Sequence, residues 1–197
     1  DVYPYAEWTS FKDWAAVARW VEPMYAVPKE LGAPLQQEID RIAAAQKLPE
    51  LRLAAVLDFV QSQIRYLGIE IGQGSYQPRS PQKVFQNRYG DCKDKVFLAV
   101  AMLRRMGIRA EPALVNTIRR HAVADMLPSP YAFNHVILKA KIAGTDYWLD
   151  PTRQPQKGQL QRLAQANYGQ ALVVDGHTRT LTTMPATQAS EYRRAVD

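Results

Sequence analysis

The feature that most constrains this chain is an apolar run, Val96 to Met106, opened by Asp91-Cys92-Lys93-Asp94 and closed by Gly107. Asp at an N-cap with a second carboxylate three residues on is a helix-start signal. Glycine just past the last periodic residue suits a left-handed cap. The spacing predicts a helix over 92–106, amphipathic at first and then fully apolar. It is too short to span a bilayer, which takes roughly 18 uninterrupted apolar residues, and it carries Arg104 and Arg105. With 197 residues, 47% of them hydrophobic and 22% charged, the chain can bury one full core. That composition excludes disorder, a collagen-like repeat and a disulfide scaffold. One Cys cannot pair within the chain.

The elements around this helix change character along the chain. Ser10 with Asp13 reads as a helix start, followed by Phe11, Trp14, Ala15, Ala18, Val21 and Met24 at helical spacing, with Pro23 late in the pattern and Pro28 ending it. Two further helices are expected, one over about 34–46 with Leu35, Ile39, Ile42 and Ala43 on one face, and one from Pro49 with Leu53, Leu57, Val60 and Ile64 inward. Ile69-Glu70-Ile71 alternates, and Gly72, Gly74, Pro78 and Pro81 then mark a loop. A short helix over 81–88 and a turn at Tyr89-Gly90-Asp91 lead into the Cys helix. Beyond it come a strand over 109–117 and a 19-residue loop, 116–134, longer than the usual limit of about 12–15. Such a loop is expected to border a cleft, with Arg119, Arg120 and His121 offering charge to a ligand. A hairpin over 136–150 turns at Ala143-Gly144-Thr145, and a second over 171–183 turns at Asp175-Gly176. Helices followed by antiparallel strands argue α+β, not a doubly wound parallel sheet. The whole chain, 1–197, reads as one domain with a core near 53–152, a helical extension over 1–52 and a C-terminal hairpin near 170–184.

Cys92 sits where a thiolate is favoured, at the positive end of a helix and beside Lys93 and Lys95. A buried structural Cys is the other reading of such a residue. A nucleophile needs a base, and the base needs an orienting partner. His121 and His177 flank turn and loop signals, whereas His135 opens a strand. If the hairpin turn centres on Ala143-Gly144, Asp150 falls opposite Ile137, which shares a face with His135. Asp150 is then diagonal to His135 and within reach of its ring. A turn shifted by one residue would separate them.

The blocks Asn87-Arg88-Tyr89-Gly90-Asp91-Cys92-Lys93-Asp94-Lys95, Phe133-Asn134-His135-Val136 and Trp148-Leu149-Asp150-Pro151-Thr152 resemble the transglutaminase-like superfamily. More narrowly, they resemble bacterial transglutaminase-like domains that follow a DUF3857 β-rich domain in secreted or envelope proteins. The resemblance implies a papain-like, transglutaminase-core fold, with the Cys helix packed on an antiparallel sheet. Carried over by position, Cys92 is the nucleophile, His135 the base and Asp150 the orienting acid. It further implies a thiol peptidase, amidase or transglutaminase acting on peptides or proteins in the periplasm or cell envelope, attached to an N-terminal β-rich domain. A chain that opens on Asp1 fits an excised part of such a protein. A non-catalytic peptide-binding or scaffold module is the alternative.

An oxyanion hole is also required. The Cys92 backbone N–H is one expected donor, and Gln73, Tyr76 and Gln77 are candidates for the second. No cofactor is expected. One Cys and three scattered His have no metal-ligand spacing, and nothing matches the acidic calcium sites of animal transglutaminases. The net charge is +6, and the segment 79–109 alone holds eight bases against two acids. Without a recognition-helix, RNP or zinc-finger pattern, that excess does not make a nucleic-acid binder.

Overall fold

The structure is a computed structural model, and it describes residues 6–68, 72–156, 158–163 and 165–186. Helix α1 spans Trp14–Val21 and is capped by Asp13, whose carboxylate accepts from the Ala16 N–H at 2.7 Å. The expected start at Ser10 is thus three residues early, because both residues are cap formers and the second takes the role. The expected stripe runs on to Met24, but α1 stops at Val21 because Pro23 cannot continue the α-helical ladder. The chain tightens into a 3₁₀ turn over Glu22–Tyr25, which buries Tyr25. Helix α2 (Ala33–Ala45) and helix α3 (Pro49–Gln63) carry Pro in their first turns and bury the predicted stripes, except Ala43, which is half-buried.

Strand β1 (Arg65–Tyr66) pairs in parallel with β2 (Tyr89–Gly90), so the turn expected at 89–91 is instead a strand running into the next helix cap. Between them, α4 (Pro81–Asn87) ends on Arg88 in the left-handed region. The Arg88 guanidinium lies 4.1 Å from the Phe85 ring centre. The alternation at Ile69-Glu70-Ile71 lies outside the described residues.

Helix α5 (Cys92–Arg105) begins with a reciprocal capping box. Asp91 accepts from the Asp94 N–H and Asp94 accepts from the Asp91 N–H, both at 3.2 Å. Gly107, at φ +75°, closes it, and the Ile108 N–H returns to the Leu103 carbonyl. All twelve residues from Cys92 to Leu103 are buried. Gly90 is required by close approach. A Cβ there would stand 2.6 Å from the Asp94 Cβ, inside the capping box. Gly90→Ala is expected to destabilise the protein by about 1–3 kcal/mol, measured by denaturant unfolding; an unchanged midpoint would contradict it.

Five strands form one antiparallel sheet in the order β5-β4-β3-β6-β7. They are β3 (Arg109–Val115), β4 (His135–Ile142), β5 (Thr145–Leu149), β6 (Gln170–Val173) and β7 (Thr182–Thr183). Alternation turns Val136, Leu138, Ala140 and Ile142 into the same core as α5, and Ile137 with Trp148 to the opposite face. The β4–β5 register, Leu138↔Leu149, is the one expected from the Ala143-Gly144 turn. The second hairpin is reduced to two residue pairs, because Asp175 gathers the His177 and Thr178 N–H groups into a turn that delays the return strand. Strand β3 stops at Val115, where Asn116 accepts from the Ile118 and Arg119 N–H groups. The loop after it is broken by 3₁₀ turns at Arg120–Asp125 and Pro130–Ala132. The result is α+β, with helices layered over α5 and α5 over the sheet.

Candidate active site

The N-terminus of α5 and the first residue of β4 meet at a cleft of about 100 Å³, lined by Cys92, His135, Tyr25, Trp20, Tyr76 and Phe133 among others. That is room for one side chain, well below the roughly 300 Å³ of a drug-sized pocket. His135 Nε2 meets Asp150 Oδ2 at 2.9 Å, and the imidazole lines the same cleft as the Cys92 side chain. Nε2 being occupied, Nδ1 is the nitrogen left for the sulfur. The structure therefore brings together all three residues singled out in the sequence. His121 and His177 are exposed and lie outside the cleft.

Asp150 is 2% exposed and receives four hydrogen bonds. Oδ1 accepts from the Thr152 N–H at 2.9 Å and the Thr152 hydroxyl at 2.7 Å. Oδ2 accepts from His135 and from the Tyr168 hydroxyl, also at 2.9 Å. Tyr168 further packs edge-on against the His135 ring, centroids 5.8 Å apart. From α3, the Gln61 amide donates to the Asp150 carbonyl at 3.0 Å. These three positioning residues escaped sequence reasoning. Thr152 had a signal, since a carboxylate followed two residues later by Thr makes a local turn. Tyr168 lies in an irregular segment, and Gln61 sits on a helix that otherwise reads as core; neither carries one.

The electrostatics follow from these contacts. Burial works against a charged His135, but its hydrogen bonds to Asp150 and Cys92 and their charges outweigh that and raise it to about 9. Burial likewise opposes the Asp150 carboxylate, and the bonds from His135 and Thr152 prevail and lower it to about 2. The expectation that Lys93 and Lys95 lend free positive charge to the sulfur needs correction. Lys93 is buried and neutralised by Asp91 at 2.6 Å. Lys95 is buried with its ammonium on the Ile64 carbonyl at 2.5 Å, and burial lowers it to about 8 against the pull of Asp150. Arg79 sits with Asp94, and Arg109 with Glu111 and Asp175. Of the eight bases in 79–109, Lys93 and Lys95 are thus buried on internal partners, while Lys83, Arg88, Arg104, Arg105 and Arg109 remain exposed.

The loop over 116–134 supplies Pro130, Phe133 and Asn134 to the cleft. Its Arg119, Arg120 and His121 do not reach the cleft; Arg120 donates to the Asn167 carbonyl instead. Tyr131 touches Tyr76 across the mouth, rings 5.9 Å apart, and Tyr76 touches Trp20 at 5.5 Å. Of the expected oxyanion donors, Tyr76 lines the cleft with its ring edge-on to Tyr131. Gln77 is exposed and outside the lining, and the Gln73 side chain lies outside the described atoms. Among the described residues, no three His, Cys, Asp or Glu gather as a metal site, and no helix is long and apolar enough to cross a membrane.

Comparison with known proteins places this geometry. The family model of the transglutaminase-like superfamily matches residues 36–149. The structure superposes on a candidate protease from Parabacteroides distasonis with a TM-score of 0.65 and 14% identity, over 90% of this chain and 32% of that one. A candidate cysteine protease from Cytophaga hutchinsonii gives a TM-score of 0.47 and 13% identity, over 87% of this chain and 57% of that one. The chain thus spans about a third of the first neighbour and just over half of the second. No curated protein sequence matches it.

Proposed function

The chain belongs to the transglutaminase-like superfamily, with its papain-like α+β core, and from that premise we propose that it is a thiol enzyme acting on peptide amides. The observation that carries this reading is the His135–Asp150 hydrogen bond at the cleft that His135 shares with Cys92, the first residue of α5. Cys92 is the nucleophile. His135 Nδ1 takes the Cys92 thiol proton, and the thiolate sulfur bonds to the amide carbonyl carbon. The C–N bond breaks as that same proton passes from Nδ1 to the leaving amine. Asp150 holds the ring and stabilises the imidazolium. Water attacking the acyl-enzyme, with His135 as base, gives a peptidase; an amine gives a transglutaminase. Hydrolysis is the outcome we favour, in keeping with the description of the Parabacteroides neighbour as a candidate protease. The completeness of the triad argues against a scaffold module. Incubation with a peptide library plus a labelled primary amine, read by mass spectrometry, tests it. New termini mean hydrolysis and amine adducts mean transfer; neither, in a folded protein, refutes the enzyme reading.

The pH dependence has a definite sign. His135 is raised from 6.5 to about 9, so its protonated form persists across neutrality. The stability it contributes is complete below about 6.5 and is lost as pH rises through about 9. Turnover needs that proton for the leaving amine, so kcat/KM is expected to fall near pH 9. A pH–rate profile with its alkaline limb near 6.5 would contradict the assignment.

A further inference from the structure

We propose that the Tyr25 phenol is the second donor of the oxyanion hole, partnering the Cys92 backbone N–H. This rests on the thiol-enzyme reading and adds to it a catalytic residue outside the triad. The N–H is available on structural grounds. The capping box occupies the Asp91 and Asp94 N–H groups, and the Lys95 N–H bonds the Asp91 carbonyl. As the first residue of α5, Cys92 has no intrahelical acceptor for its own N–H, and no described residue supplies one.

Tyr25 closes the 3₁₀ turn after α1 and is 3% exposed. Its ring is fixed edge-on against Phe97 of α5, centroids 5.5 Å apart, and it lines the cleft shared by Cys92 and His135. A buried tyrosine hydroxyl usually finds a partner; among the described residues this one has none. The buried polar side-chain atoms lacking both partner and solvent are on Asp58, Arg79 and Asp146, so the Tyr25 oxygen opens onto free space. Burial, then the charges of Cys92, Asp91 and Asp94, hold the phenol well above its usual range, which keeps its proton in place. Those three groups all belong to the start of α5, the end that carries the nucleophile, and Tyr25 lines the cleft there. Tyr76 is the weaker candidate because it is 37% exposed, where solvent competes for its hydroxyl.

In the step itself the Cys92 sulfur bonds to the carbonyl carbon, and the π electron pair moves onto the oxygen. The Cys92 N–H and the Tyr25 O–H hydrogen-bond that oxyanion without transferring a proton. When it collapses, the electron pair re-forms the carbonyl and the amine leaves with the His135 proton.

Tyr25→Phe removes one hydroxyl and keeps the ring. It is expected to lower kcat about 10²- to 10³-fold with KM little changed. A peptide aldehyde, whose adduct with Cys92 places an oxygen in the hole, should lose affinity by a similar factor. Iodoacetamide alkylation of Cys92, a displacement that forms no oxyanion, should keep its wild-type rate. A kcat within threefold of wild type overturns the proposal; so does a parallel fall in alkylation, which makes Tyr25 a support for the thiol. If the wild type cleaves no amide, the enzyme reading fails, while the aldehyde comparison still decides the role of Tyr25. Incorporating 4-aminophenylalanine at position 25 restores a donor and should restore aldehyde affinity; 4-methylphenylalanine should not. Equal affinities for the two would also overturn it.

Discussion

Cys92→Ala is expected to abolish amide cleavage, a loss of about 10⁶-fold in kcat, the scale at which triad nucleophiles contribute. The fold should persist, because the change deletes a single sulfur atom from a side chain 5% exposed at a cleft wall. Steady-state kinetics beside a thermal melt checks both halves. The same variant separates enzyme from scaffold. A peptide-binding module would hold its ligand equally well with Ala at this position, and neither protein would cleave it. Residual turnover within tenfold of wild type would remove Cys92 from the chemistry.

Asp150→Asn is expected to lower kcat about 10²- to 10⁴-fold. The carboxylate accepts four hydrogen bonds and donates none, two at each oxygen. An amide offers one accepting end only. Turned toward His135, its NH₂ faces a ring nitrogen that must now accept, which fixes the proton on Nδ1 and bars it from acting as base. Turned the other way, the NH₂ opposes the Thr152 N–H. The depressed Asp150 also contributes stability, present above about 4 and lost as pH falls through about 2. The variant should therefore melt lower at pH 7 and show less acid dependence. Full activity in Asp150→Asn would mean that His135 needs no anionic partner.

Much of this site was legible because its determinants are local. Asp91, Asp94 and Gly107 bracket α5 within its own neighbourhood, and a two-residue turn sets the β4–β5 register that carries Asp150 to His135. What escaped depends on distant partners. Tyr89-Gly90 becomes a strand only because Arg65–Tyr66, more than twenty residues earlier, lies beside it. Tyr168 reaches Asp150 from an irregular stretch without periodicity. Lys93 and Lys95 read as solvated charge because Lys is almost never fully buried unless paired. In the fold, Asp91 pairs with one, and the end of α3 offers its Ile64 carbonyl to the other.

The continuous burial of α5 has a consequence for how such a protein fails. Amide groups of a helix enclosed from Cys92 to Leu103 can exchange with solvent only when the surrounding layers open, so this helix belongs to the slowest-exchanging unit of the molecule. The nucleophile is its first residue, and the base begins a strand packed against it. Fraying at the termini therefore leaves the nucleophile in place. Loss of Cys92 from its position by heat or denaturant is expected to coincide with global unfolding, checked by following Cys92 alkylation beside a denaturant melt.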